Sequence, residues 1–165
     1  METRLKVLGH PVHPMLIVYP LGLLSTAVVF DVLYVVTGNA DLATFSFWAL
    51  VAGIVGGAAA AVFGLLDWMG IPRGTRARRI GAMHGAGNAV VVVLFVLSLL
   101  TRLSSPAFLP NLLPLVLGLA GAGIALGTAW LGGELVYRLR VAVDDDAGLD
   151  ASSSLARNGA VRVQG

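Results

Sequence analysis

Four long apolar segments separated by short polar links dominate the pattern along the chain. They cover about residues 14–36, 45–69, 80–101 and 111–138. Each is long enough to cross a bilayer as an α-helix, which takes roughly 20 apolar residues. Because the links between them are short, consecutive helices must run antiparallel. The pattern therefore predicts an all-α fold, an integral membrane bundle of four helices running up-down-up-down.

The pattern changes near residue 140, where the last apolar segment ends. Residues 141–165 contain Asp144-Asp145-Asp146, three consecutive serines and no aromatic residue. Segments with so little hydrophobicity cannot bury enough apolar surface to fold. We therefore expect one transmembrane domain over residues 1–140 and a disordered cytoplasmic tail over residues 141–165.

Composition supports a lipid environment and excludes several functions. Hydrophobic residues form 57% of the chain and charged residues only 12%, whereas soluble domains have about 25% charged residues. The chain has no cysteine, which excludes disulfides, thiol catalysis, iron–sulfur clusters held by thiolates and covalently attached c-type haem. No dense basic patch indicates a nucleic-acid partner, so the bilayer is the first partner to expect.

Basic residues predict the orientation in the membrane. In an up-down bundle most of them fall at one end, and the other end has only Arg102. The positive-inside rule then places both termini in the cytoplasm, for a multi-pass protein of the inner (plasma) membrane. The residues at the basic end are Arg4, Lys6, Arg73, Arg76, Arg78, Arg79, Arg138 and Arg140.

Candidate chemistry concentrates at the same cytoplasmic end. Imidazole and carboxylate are ligands that divalent transition metals prefer, and two histidines can also ligate a b-type haem. The candidates for a metal site are His10, His13, Asp67, His84 and Glu134, and those for a haem or other cofactor are His13, His84 and Asn88. The alternative is that the histidines are solvated and that the carboxylates pair with nearby arginines.

The two N-terminal histidines each precede a proline, which favours extended backbone. In a polyproline II conformation His10 and His13 would stand roughly 9 Å apart, too far to chelate one ion easily. Pro14 suits the first helical position, so we expect His13 at the N-cap and regard it as the better ligand, together with His84. His10 would then be a supporting or alternative ligand.

Three further features of the helices carry structural predictions. Asp31 lies about 25 Å along the first helix from Pro14, near the end where Arg102 lies, and we expect a structural ion pair between them. Pro20 lies inside the same helix and cannot donate to the carbonyl of Leu16, so a kink is expected there. Small residues such as Gly53 and Gly57 are typical of close helix packing in lipid.

Four motifs along the chain are distinctive when taken together. They are Gly9-His10-Pro11-Val12-His13-Pro14, Asp67-Trp68, His84 with Asn88, and Gly132-Gly133-Glu134-Leu135-Val136-Tyr137. With these motifs the chain resembles one family of bacterial membrane proteins, called domain of unknown function 2231. The resemblance covers roughly residues 8–140 and implies four transmembrane helices. Relatives fused to Rieske-type or cytochrome domains imply redox surroundings, and no activity carries over. The chain departs from the family where Arg138-Leu139-Arg140 follows, since relatives often continue with a histidine-glycine stretch.

Two functions are compatible with these residues. One is a redox or metal-handling module that binds a divalent transition metal or a b-type haem at the cytoplasmic side, with a homodimer or a membrane redox partner. The alternative is a non-enzymatic structural or assembly subunit whose glycine faces pack against partner helices. No catalytic residues are predicted, because no serine has a recognisable His–Asp arrangement and no phosphate-binding loop follows a strand.

Overall fold

Four helical spans make up most of the protein. The computed structural model describes residues 5–156, so Arg4 and the tail residues 157–165 lie outside the described part. Span 1 comprises two helices, Val12–Leu16 and Val18–Thr37; span 2 is Ala40–Gly70; span 3 is Arg76–Leu100; span 4 is Leu112–Gly133 and continues as a π-helix over Glu134–Arg138. A short antiparallel strand pair, Lys6–Val7 with His10–Pro11, precedes span 1, and a 3₁₀ turn, Pro106–Phe108, precedes span 4. The all-α four-helix prediction is confirmed.

The start of span 1 differs from the prediction. Its N-cap is Pro11, and His13 lies inside the first helix rather than at the cap. Residues before proline avoid helical backbone, but a proline in the first turn removes an N–H that has no helical partner anyway. His13 Nδ1 also lies 2.8 Å from the carbonyl oxygen of Ala60 in span 2. This contact between spans holds His13 in the helix.

Span 1 is interrupted at Ile17, between its short and its long helix. Pro20 follows three residues later and lacks the N–H that would donate to Leu16. The interruption therefore lies where the proline predicts a distortion.

The spans pack as two antiparallel hairpins that face each other. Spans 1 and 2 share most of their contacts, spans 3 and 4 do likewise, and the two hairpins touch through fewer contacts between spans 2 and 3 and between spans 1 and 4. Glycines permit the close packing: a Cβ on Gly53 would lie 2.7 Å from Leu24, and one on Gly121 would lie 3.0 Å from Phe95. Buried apolar side chains between the hairpins form the core, namely Leu24, Ala27, Leu50, Val91 and Phe95.

Most of the apolar surface points outward. All four spans are long and apolar enough to cross a membrane, yet only 17–22% of the residues in their apolar windows are buried. A soluble protein rarely exposes an apolar patch of more than a few hundred Å². Acyl chains are the solvent that such a surface requires.

Both ends of the hairpins are tied by side chains. At the end that carries the chain termini, here called the termini-side end, Arg78 donates to the carbonyls of Trp68, Met69 and Ile71 and lies over the Trp68 ring at 4.0 Å. These bonds satisfy carbonyls that the end of span 2 leaves without helical partners. The opposite end, the far end, holds Thr37–Asn39 and the link before span 4.

The segment after span 4 returns to the strand pair. Lys6 forms an ion pair with Asp144, and the Ser154 hydroxyl lies 3.4 Å from His10 Nε2. Between residues 141 and 156 the chain has turns and bends. The disorder expected of the tail stays a prediction.

Candidate functional site

His13 is held between spans 1 and 2 at the termini-side end. Its Nδ1 lies 2.8 Å from the Ala60 carbonyl oxygen. Its ring packs on Gly64, one turn further along span 2, where a Cβ would come within 2.8 Å of His13 Cε1. Only glycine leaves room for the imidazole in this position.

His84 is held between spans 3 and 4 in the same way. Its Nδ1 lies 2.8 Å from the Thr128 carbonyl oxygen. Its ring faces Gly132, one turn beyond Thr128, where a Cβ would lie 3.2 Å from His84 Cε1. Each hairpin thus presents one half-buried imidazole, fixed by one carbonyl and accommodated by one glycine.

These contacts fix the chemistry of both rings. A carbonyl oxygen only accepts hydrogen bonds, so the neutral imidazole must carry its proton on Nδ1 and donate it. Nε2 then keeps its lone pair, which is the form that ligates a metal. The site therefore holds two nitrogen ligands, each oriented by a backbone carbonyl.

Asn88 and Thr128 orient His84 further. Asn88 Nδ2 donates to the His84 carbonyl oxygen at 2.9 Å and contacts His84 Nε2 at 3.2 Å, and Asn88 Oδ1 accepts from the Thr128 hydroxyl at 3.0 Å. This network settles which atom of the amide is nitrogen, because the carbonyl requires a donor. Sequence reasoning identified Asn88 but missed Thr128, whose signal is a hydroxyl in an otherwise apolar stretch of span 4.

The other predicted ligands do not join the two histidines in a metal-binding group among the described residues. Glu134 Oε2 pairs with Arg76 at 2.8 Å, as the alternative interpretation predicted. Asp67 lines a shallow recess with Leu5, Leu66, Met69 and Gly70, and His10 is exposed beside Ser154. Among residues 5–156 no three histidine, aspartate or glutamate side chains are grouped so as to hold a metal ion.

A second polar cluster lies at the far end. Arg102 is fully buried and donates to both carboxylate oxygens of Asp31, at 2.7 and 2.5 Å. It also donates to the hydroxyls of Ser46 at 3.1 Å and Ser98 at 2.9 Å. The predicted Asp31–Arg102 pair is confirmed, and the two serines were missed.

The cluster joins all four spans. Ser46 donates onward to the Ala27 carbonyl in span 1, and Ser98 to the Pro114 carbonyl in span 4. Buried charges are stable only when paired and fully hydrogen-bonded. Of the five Arg102 donors, Nε alone has no hydrogen-bond partner among the described residues. This far-end cluster is a structural clamp.

Comparison with known proteins settles the family. Residues 9–145 match the family described as "Predicted membrane protein (DUF2231)". The chain belongs to this family. The DUF2231 segment contains all four spans, both half-buried histidines and the far-end cluster, which confirms the resemblance seen in the motifs. No curated protein and no solved structure matches the chain.

Proposed function

We propose that this DUF2231 protein is a small membrane redox module in which His13 and His84 hold one b-type haem at the cytoplasmic side. One observation carries the proposal: both half-buried histidines donate Nδ1–H to a helix carbonyl at 2.8 Å and so keep Nε2 as a ligand. Such hydrogen bonds from the second ring nitrogen orient the histidine ligands of metals and raise their basicity. The basic termini-side end supports the cytoplasmic orientation.

The ligand inventory favours haem over a bare metal ion. A bare divalent ion needs four or more protein ligands or waters, and Glu134 is engaged with Arg76. A b-type haem would need only two ligands from the protein, which His13 and His84 would provide, as in cytochrome bundles. Bound there, it would exchange single electrons. Asn88 would release His84 Nε2 and keep its bond to the His84 carbonyl.

The test is an absorption spectrum. The protein purified in mild detergent, with and without added haemin, should bind one haem per chain and show a sharp Soret band with resolved α and β bands after reduction. His13→Ala and His84→Ala should each abolish this low-spin spectrum, and His10→Ala should leave it intact. No Soret band in the wild type, or a band that survives both single variants, contradicts the proposal. Elemental analysis distinguishes a haem-free metal.

A structural or assembly subunit is the second candidate, and one observation favours it. Gly123 and Gly127 lie one turn apart on span 4, and a Cβ on either would meet no atom within 4 Å. Paired outward glycines are typical of helix–helix association in lipid. Gly57, in contrast, packs inward on Pro20 and Val92, so it cannot contact a partner helix.

The association hypothesis is tested by measuring the size of the detergent-solubilised complex with size-exclusion chromatography. Gly127→Leu should break a complex that the wild type forms in detergent, while Gly22→Leu, at an outward glycine without such a neighbour, should not. Equal behaviour of the two variants contradicts it. A wild type that binds no haem but loses its complex with Gly127→Leu would favour this candidate over the first.

A further inference from the structure

The two hairpins repeat the same contacts in the same register. His84 follows His13 by 71 positions (84 − 13), and Thr128 follows Ala60 by 68 (128 − 60). The shift of 71 therefore relates span 1 to span 3, and the shift of 68 relates span 2 to span 4. Since both histidines bond to these carbonyls at 2.8 Å, the two shifts map one hydrogen bond onto the other.

The same two shifts relate three more pairs of contacts, the first of which involves the same two histidine rings and the other two of which involve different residues. Two are close approaches of a side chain to a glycine. The third is a serine hydroxyl that donates to a carbonyl of the neighbouring span, with donor and acceptor exchanged between the copies: Ser46 on span 2 donates to span 1, and Ser98 on span 3 donates to span 4. They are His13–Gly64 with His84–Gly132, Leu24–Gly53 with Phe95–Gly121, and Ala27–Ser46 with Ser98–Pro114. Contacts over residues 13–27 and 46–64 of the first hairpin therefore agree on one register with residues 84–98 and 114–132 of the second.

The shift of 71 also relates Asp31 to Arg102 (102 − 31). These equivalent residues contact each other directly, both at 2% exposure or less. A residue that touches its own counterpart must lie on the axis that relates the two copies. Spans 1 and 3 run in the same direction, so this axis lies along the membrane normal, as in parallel repeats of transporters.

We infer that the chain is an internal duplication, two copies of one helical hairpin related by a two-fold axis, and that Asp31 and Arg102 on this axis make the unlike copies pair. Two identical first hairpins would bring Asp31 against Asp31, and two second hairpins Arg102 against Arg102. Like charges that meet in a buried interface reject the wrong partner. The pair therefore directs the first hairpin to the second and away from the same hairpin of a second copy of this chain.

The inference depends on packing alone and not on any ligand. It makes His13 and His84 equivalent as well, so the same axis relates one imidazole to the other. If the protein bound no haem, the duplication would stand; if the duplication were wrong, the haem proposal would lose only its symmetry.

Charge exchange in the full chain tests the equivalence of the two positions. Asp31→Arg and Arg102→Asp each place like charges on the axis and should lower the melting temperature in detergent by about 10 °C, with new dimers or aggregates by size exclusion. The double variant Asp31→Arg/Arg102→Asp exchanges the two charges between the equivalent positions. It should recover at least half of the lost melting temperature.

A second exchange tests the register. By the duplication, Ala27 is the counterpart of Ser98, whose hydroxyl accepts from Arg102 at 2.9 Å. Adding Ala27→Ser and Ser98→Ala to the double variant should therefore raise its melting temperature further, by about 2–4 °C. Arg76→Asp, at an exposed pair away from the axis, serves as the control and should change little.

The duplication is supported if the melting temperature recovers in the double variant and rises further in the fourfold variant, which adds Ala27→Ser and Ser98→Ala. A double variant no more stable than the single ones overturns it, and so does a fourfold variant that is less stable than the double.

Discussion

The two polar clusters of this bundle differ in how many of their hydrogen-bonding atoms have a partner. At the far end, Arg102 and Asp31 bond to each other and to two serines, and we call this cluster closed because only Arg102 Nε is left without a partner among the described residues. At the termini-side end, each histidine is anchored through Nδ1 to a backbone carbonyl of its own hairpin. Nε2 is left with a weak amide contact in His84 and with no bond among the described residues in His13. A structural polar group uses up its hydrogen bonds, whereas a candidate ligand site retains a lone pair.

The first and largest test breaks the closed cluster. Arg102→Leu should lower the free energy of unfolding by about 3–5 kcal/mol, because it leaves the Asp31 carboxylate buried without a counter-ion. Asp31→Leu/Arg102→Leu removes both charges and should recover most of that loss. Reversible unfolding in mixed detergent micelles measures both. Equal losses in the single and double variants would show that the pair is not the source of the stability.

The second test disturbs the open cluster through packing. Gly64→Ala puts a Cβ 2.8 Å from the His13 ring, so the ring must move and its bond to the Ala60 carbonyl must lengthen. We expect a loss of about 1–3 kcal/mol from overpacking, together with the loss of any His13-dependent absorption band. Gly132→Ala, with 3.2 Å to His84, should have the smaller effect, and Gly22→Ala should have none. A Gly64→Ala protein with wild-type stability and spectrum contradicts this account of the glycine.

The third test removes one hydroxyl. Thr128→Val keeps the shape of the side chain but deletes the donor to Asn88 Oδ1, which should cost about 0.5–1.5 kcal/mol. Asn88 should then hold His84 less firmly, seen as a broader imidazole signal by NMR. Thr44→Val, at an exposed hydroxyl, is the matched control. An unchanged His84 signal would mean that Asn88 keeps its position without Thr128.

The smallest effect is expected at the surface pair. Glu134→Gln weakens the pair with Arg76, whose side chain is 53% exposed, and exposed pairs contribute at most about 1 kcal/mol. Haem or metal content should stay at the wild-type level, since Glu134 lies with Arg76 rather than with the histidines. If Glu134→Gln lost its haem or metal, Glu134 would have to be counted among the ligands.

The sequence predicts the depth of a residue in the membrane better than the side of its helix on which the residue lies. Depth in the membrane follows from counting residues at 1.5 Å each, and the four spans and the Asp31–Arg102 pair were predicted in that way. Direction around each helix depends on packing, which the pattern of a nearly all-apolar segment does not encode. Glu134 is therefore at the expected depth but turned to Arg76.

The same limit explains what sequence reasoning missed. Ser46 and Ser98 are two small hydroxyls in long apolar runs, and nothing in the pattern says that both turn toward Arg102. The duplication was invisible because its counterparts share packing more than identity: Leu24 corresponds to Phe95, and Ala60 to Thr128. His13 was expected at the N-cap because proline favours the first helical position, and Pro14 follows it. The contact of His13 with the Ala60 carbonyl depends on tertiary packing and could not be read from the sequence.

The position of Arg102 has a consequence for how the protein is made. Domains generally form from the N-terminus during synthesis, so the first hairpin enters the bilayer ahead of the segment that carries Arg102. Until then the carboxyl group of Asp31 has no guanidinium to neutralise it, and a lone acid in a lipid-exposed helix is costly. The first hairpin is thus an intermediate with an unpaired acid, and the insertion of the second hairpin supplies the Arg102 guanidinium that pairs with it.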